Sequence, residues 1–212
     1  MASSRLPASE PPFGLLLITD RRAVPAGRTL PEQLALALAI HGPKVGVLFR
    51  DKDLEPAARA ELGRAVQSAV QGAGARLLVH GSLALARRLN AGGLHVDDSA
   101  AGRALLPKAP GGWVLGASCH DAMGLTQAAT LGASYATLSP IFPSPGKAAP
   151  GDELGLAALA GPHPLPVFAL GGIDGANGRD AITAGAKGLA TIRAVLAARD
   201  PAAAVGSLLE CL

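Results

Sequence analysis

The chain has little that stacks, cross-links or crosses a membrane. Aromatic residues make up 3% of its 212 positions, and only Cys119 and Cys211 are cysteines. Two cysteines make no disulfide framework, which fits a reducing cytoplasm. The net charge of +3 alone would allow a nucleic-acid partner, but the few aromatic platforms and the scattered lysines and arginines argue against one. The same charge, with an isoelectric point near 9.2, favours anionic ligands only weakly. No apolar run approaches the ~20 residues of a membrane span. The run Leu15–Ile18 is too short for a signal-peptide core and reads as a first strand. Residues 1–13 are polar and proline-rich and are expected to form a flexible tail before one domain over residues 14–212.

What is present is apolar and rich in glycine: 49% hydrophobic residues and 27 glycines. Short strand patterns recur at regular intervals, at Leu15–Thr19, Val45–Phe49, Arg76–Val79, Gly93–Val96, Trp113–Ala117, Tyr135–Ser139, Val167–Leu170 and Gly188–Ile192. Nearly all are mostly apolar, as parallel strands covered on both faces require. Helical stripes lie between most of them, such as Leu30, Leu34, Ala37 and Leu38, then Ala58, Leu62, Ala65, Val66, Ala69 and Val70, then Leu125, Ala128, Ala129 and Leu131. Ser82, Asp121 and Asp200 suit helix N-caps, and Pro201 suits a first helical position. Gly74, Gly92, Gly132 and Gly185 each stand where a helix should close before a strand. Eight βα units in this length predict a small (β/α)₈ TIM barrel, with a doubly wound sheet as the alternative.

In such a barrel, chemistry belongs at the C-terminal ends of the strands. Arg50, Asp51, Lys52 and Asp53 follow the second strand, and Arg50 and Lys52 are placed to hold a diphosphate. The loop from Pro140 to Asp152 is long for a barrel connection and carries Ser144 and Lys147, a hydroxyl and a cation for a ligand. Gly171 and Gly172 after the seventh strand, with Ile192 and Arg193 after the eighth, match a phosphate cup of backbone N–H groups. Ser118 and His120 end the fifth strand, where His120 is suited to moving protons. His80 ends the third strand at the rim, whereas His95 lies inside the fourth and reads as a hydrogen-bonded core residue. Asp97 and Asp98 are the paired carboxylates at a predicted rim, either metal ligands or helix caps. No Cys/His spacing suggests zinc.

These segments together resemble the thiamin phosphate synthase and TenI superfamily, over about residues 14 to 200. The resemblance rests on Leu17-Ile18-Thr19-Asp20, Phe49-Arg50-Asp51-Lys52, Gly93-Leu94-His95-Val96, Gly116-Ala117-Ser118-Cys119-His120, Pro140-Ile141-Phe142-Pro143-Ser144 with Lys147, Gly171-Gly172-Ile173 and Gly185-Ala186-Lys187-Gly188. It implies a thiamin-biosynthesis transferase that joins a hydroxymethylpyrimidine diphosphate to a thiazole phosphate with Mg²⁺. Arg50, Lys52, Ser144 and Lys147 would hold the diphosphate. Ser118 would lie near the leaving-group oxygen, and Lys147 and His120 would join it in catalysis. His80 would stand on the pyrimidine side, and Gly171, Gly172, Ile192 and Arg193 would hold the thiazole phosphate. Substrates would be small and phosphorylated, with no membrane partner, and the oligomeric state is left open. The departures are specific. Leu48 replaces the family's Gln, Gly146 its Thr before the loop Lys, and Gly81 and Ala100 its two metal carboxylates, leaving Asp97 and Asp98 as substitutes. The TenI branch isomerises a thiazole carboxylate phosphate without metal through a His at the position of His120. Synthase-type coupling, such a tautomerase, and a non-catalytic phosphate-binding barrel therefore remain the expectations, in that order.

Overall fold

Eight short strands form one closed parallel barrel in a computed structural model that describes residues 11–143 and 151–212. They are β1 (Leu15–Ile18), β2 (Val45–Phe49), β3 (Arg76–His80), β4 (Gly93–Val96), β5 (Val114–Cys119), β6 (Tyr135–Leu138), β7 (Val167–Ala169) and β8 (Gly188–Thr191). Each pairs with its sequence neighbour, and β8 returns to β1 with Leu189 opposite Leu15. The expected (β/α)₈ barrel is the observed one, with strand ends displaced by a residue or two.

Eight α-helices surround the described barrel: α1 (Leu30–Leu38), α2 (Pro56–Gly72), α3 (Leu83–Arg88), α4 (Ala100–Arg103), α5 (Ala122–Thr130), α6 (Gly178–Thr183), α7 (Arg193–Leu196) and α8 (Pro201–Leu209). Between β6 and β7 the described chain has only a 3₁₀ turn, Leu156–Leu159. The caps are those the residue types dictate. Ser82, Asp121 and Asp200 accept from the backbone N–H of Leu85, Gly124 and Ala203. Gly74, Gly132 and Gly185 take positive φ where helices end, but Gly92 does not. After α3 that conformation falls on Asn90, at φ 46°, so the helix closes two residues earlier than expected.

Alternation along the strands divides the apolar residues into two sets. One faces the helices. The other, Leu16, Ile18, Leu48, Leu78, Val114, Tyr135, Phe168 and Ala190, fills the barrel interior. Phe13, counted with the expected tail, is buried in this inner set. Its ring stands edge-on to Tyr135 and Phe168, each at 5.9 Å between centroids. Gly46 and Gly188 have no side chain because the rings of Phe13 and Phe168 occupy that space. The lower interior is thus an aromatic plug, and the inward positions above it, His80, His95, Ser118 and Thr137, are polar.

Candidate active site

A cavity of about 1110 Å³ opens at the C-terminal ends of the strands. Arg50 enters it from the end of β2, His120 from the end of β5, Gly171 and Gly172 from the loop after β7, and Ile192 and Arg193 from the end of β8. The candidates for diphosphate, proton transfer and phosphate therefore share one space. Ser144 and Lys147 lie outside the described residues.

The phosphate side is made of backbone. Gly171 and Gly172 have φ of 98° and 63°, a region that L side chains rarely adopt. The sequence suggests that these glycines admit a ligand. They also admit the Pro140–Pro143 segment: a Cβ on Gly172 would stand 2.5 Å from the Pro143 carbonyl oxygen and 2.8 Å from Phe142 Cβ. Phe142 N–H donates to the Gly171 carbonyl at 3.0 Å, and Asn177 Nδ2 donates to that of Gly172 at 2.8 Å. Arg193 opens α7, whose four residues follow β8, while Asp200 is occupied in capping α8.

At the end of β2, neighbouring residues have different tasks. Asp51 is buried and accepts from Thr19 Oγ1 at 2.5 Å and from the Arg21 backbone N–H at 2.9 Å. Asp53 pairs with Arg21 at 2.8 Å, and that guanidinium holds its carboxyl at about 2. These two carboxylates lock the loop after β1 to the loop after β2. Arg50 is left facing the cavity. Lys52 does not line it, contrary to the expected Arg50–Lys52 pair; its charge acts instead on His80 and Asp97. Arg59, from α2, donates to the carbonyls of His80 at 2.8 Å and Arg50 at 3.4 Å, so it ties the β2 and β3 ends together.

His120 Nδ1 is 2.6 Å from the Ser139 carbonyl oxygen. A carbonyl only accepts, so Nδ1 carries a proton and donates it to Ser139. Asp98 lies 3.9 Å from His120 Nε2. His95 is buried, as expected of a core residue, and bridges Tyr135 Oη at 3.0 Å and Ser118 Oγ at 3.1 Å. Burial, with His80 and Arg50 nearby, lowers its pKa to about 3. Burial, with Arg50 nearby, lowers that of His80 to about 4. Both are neutral near pH 7. Burial pushes the Cys119 thiol up to about 11, which makes it a poor nucleophile.

Asp97 Oδ1 accepts from the Ser99 hydroxyl and N–H, and Ser99 is the N-cap of α4. Ala100 begins that helix, and Gly81 sits at φ 67°. Among the described residues no three His, Cys, Asp or Glu side chains gather as a metal site. The protein side of a Mg²⁺ site does not fit the residues here, with Asp98 the one predicted ligand not held by Ser99.

Sequence reasoning missed Asp20 and Arg22, which line the cavity after β1 and pair at 3.0 Å. The signal was available: a charged triplet, Asp20-Arg21-Arg22, directly follows a strand. Ser139, Asp152 and Asp174 also line the cavity and carried no comparable signal.

A closed parallel barrel with a glycine-edged cavity at its strand ends, lined by three arginines and three aspartates, is the architecture of an enzyme for small phosphorylated molecules. Comparison with known proteins makes this specific. The family model for thiamine monophosphate synthase matches residues 15–195, and the chain belongs to that family. A Geobacter sulfurreducens protein with a provisional thiamine-phosphate synthase name is 38% identical, covering 94% of each chain. The thiamine-phosphate synthase of Roseiflexus castenholzii is 36% identical over 92% of this chain and 86% of its own. Among solved structures, a thiamine phosphate pyrophosphorylase from Pyrococcus furiosus superposes with a TM-score of 0.75 at 25% identity, covering 94% of this chain and 95% of that one.

Proposed function

We propose that the protein is a thiamin-biosynthesis transferase that joins hydroxymethylpyrimidine diphosphate to thiazole phosphate. The observation that carries this reading is the shared cavity: Arg50 from the end of β2 lines it together with Gly171, Gly172, Ile192 and Arg193 from the ends of β7 and β8. Two phosphorylated substrates can then lie side by side with their reacting ends between the anion sites. The C–O bond to diphosphate breaks, the leaving group takes the electron pair, and the thiazole nitrogen forms the new C–N bond to the pyrimidine methylene. Arg50 would stabilise the charge that gathers on the diphosphate. Ser118 would donate a hydrogen bond near the leaving oxygen. Lys52, Ser144 and Lys147 would contribute once substrate is bound, with His80 on the pyrimidine side. The two unpaired cysteines support a reducing, cytoplasmic setting, and no described helix is long and apolar enough to cross a membrane.

The metal part of this reading is specific. Mg²⁺ wants six oxygens and usually takes one or two from protein carboxylates beside substrate phosphates. With Asp97 committed to Ser99, the free protein should bind it weakly. Titration with Mn²⁺ monitored by water proton relaxation checks this. Tight binding abolished by Asp98→Ala would show instead a rebuilt metal site.

One observation favours a second reading. With Nδ1 held by Ser139, His120 points Nε2 toward Asp98 and away from the backbone, which would suit the proton transfer that a metal-independent thiazole tautomerase needs. Purified protein assayed with the pyrimidine diphosphate and both thiazole phosphate isomers, with and without Mg²⁺, separates the outcomes. Thiamin phosphate formation supports the transferase. Isomer interconversion alone supports the tautomerase, and binding without turnover a non-catalytic barrel.

A further inference from the structure

We propose that Tyr135 and His95 are positioning residues that turn the Ser118 hydroxyl outward as a hydrogen-bond donor to an anionic oxygen in the barrel mouth. This deepens the proposed transferase reading and rests on it for the identity of that oxygen. The three side chains form a chain that runs from the buried interior toward the mouth and ends at Ser118, which is partly exposed but does not itself line the cavity. Tyr135 Oη lies 3.0 Å from His95 Nδ1, and His95 Nε2 lies 3.1 Å from Ser118 Oγ. Tyr135 and His95 are almost wholly buried, and Ser118 is partly exposed.

The direction of the protons follows from the partners. Tyr135 lies against the rings of Phe13 and Phe168, and Nδ1 of His95 is the one polar partner of its hydroxyl among the described residues. A buried phenol keeps its proton and must donate it to that partner. A neutral imidazole accepting at Nδ1 carries its own proton on Nε2. Nε2 therefore donates to Ser118 Oγ and occupies one of its lone pairs. The Ser118 proton is thereby excluded from the interior and left for an acceptor in the mouth. The opposite tautomer would leave the Tyr135 proton among aromatic rings with nothing to accept it, and would let Ser118 donate inward. Gly116 belongs to the same device: a Cβ there would collide with both His95 Nδ1 and Tyr135 Oη.

Two measurements test the relay. The first is the ¹⁵N spectrum of histidine-labelled protein at pH 7, which needs no substrate. The expected result is His95 as the Nε2–H tautomer in the native protein and a shift toward Nδ1–H in Tyr135→Phe. A native Nδ1–H tautomer overturns the proposal, whatever reaction the protein performs. The second is a kinetic cycle in the coupling assay. Tyr135→Phe should lower kcat tenfold or more and leave KM for thiazole phosphate within threefold. Ser118→Ala should do the same, and the double variant should be no slower than Ser118→Ala. Multiplying losses, or an unchanged kcat in Tyr135→Phe beside a reduced one in Ser118→Ala, overturns it. Absence of coupling in the native protein would defeat the transferase reading, and the tautomer measurement would still decide the relay.

Discussion

At the ends of β7 and β8 the barrel mouth is built from backbone, whereas at the ends of β3 and β4 it is built from side chains. Gly171, Gly172 and the turn into α7 line open space with no side chain bulkier than Ile192 and Arg193. His80, His95 and Asp97 on the other side are buried or already hydrogen-bonded, and none of them lines the cavity. On the proposed function, the first side would receive an anion that comes and goes. The second has its histidines buried, with His95 held by Tyr135 and Ser118, and its carboxylate Asp97 held by Ser99. Backbone donors cost no side-chain entropy and are aimed by the fold itself, which suits recognition of a phosphate. Buried polar side chains must be satisfied internally, which suits positioning.

The largest effect should come from filling the glycine side. Gly172→Val places a branched side chain at φ 63°, with its Cβ 2.5 Å from the Pro143 oxygen. We expect binding of thiazole phosphate to be lost by calorimetry and the melting temperature to fall, because the Pro140–Pro143 segment must move. Gly111→Ala is the control, since a Cβ there meets nothing within 4 Å. Equal behaviour of the two variants would remove the distinction between the sides.

The histidine side predicts a pH dependence of stability. His80 and His95 titrate at about 4 and about 3 in the folded protein, below the ordinary 6.5. As pH falls below 6.5 the unfolded chain takes up protons that the folded one refuses. Stability is therefore fully present above 6.5 and declines toward pH 4 and below. Each histidine contributes a slope of up to about 1.4 kcal/mol per pH unit. Urea midpoints at pH 7 and 4.5 measure this, and His95→Gln should flatten the decline. An unchanged slope would show that His95 is not buried neutral.

At the end of β2, Arg50→Ala should weaken diphosphate binding by about 2–4 kcal/mol, the contribution of a charged donor to an anion withdrawn from water. Lys52→Ala should do less, because Lys52 does not line the cavity. Calorimetry with inorganic diphosphate compares them. An equal loss from both would restore the pair that the sequence suggested.

What could be read from the sequence divides along the same line. Strands appear as apolar runs, caps as Ser or Asp before helices, and the glycine edge of the cavity as glycines after a strand, because each is a local consequence of residue type. The internal network is different. Thr19 and Asp51 are 32 positions apart, His95 and Tyr135 40, and His95 and Ser118 23. They become neighbours only through strand register, and no local pattern shows it. Asp51 and Lys52 illustrate the limit: both read as rim charges, yet one is buried beneath the loop and the other is exposed outside the cavity lining.

The smallest effect sits where the two sides meet. Thr137 on β6 is opposite Ser118 of β5 on one flank and Phe168 of β7 on the other. Its hydroxyl is buried and has no hydrogen-bond partner among the described residues. A buried hydroxyl without a partner opposes folding, so Thr137→Val should raise stability by about 1 kcal/mol while leaving phosphate and diphosphate affinity unchanged. Urea unfolding and calorimetry on the same samples measure both. If stability rises as expected, the boundary belongs to neither side and is simply unsatisfied floor. If diphosphate affinity falls instead, the hydroxyl turns toward ligand, and side-chain recognition reaches further round the mouth than the free protein shows.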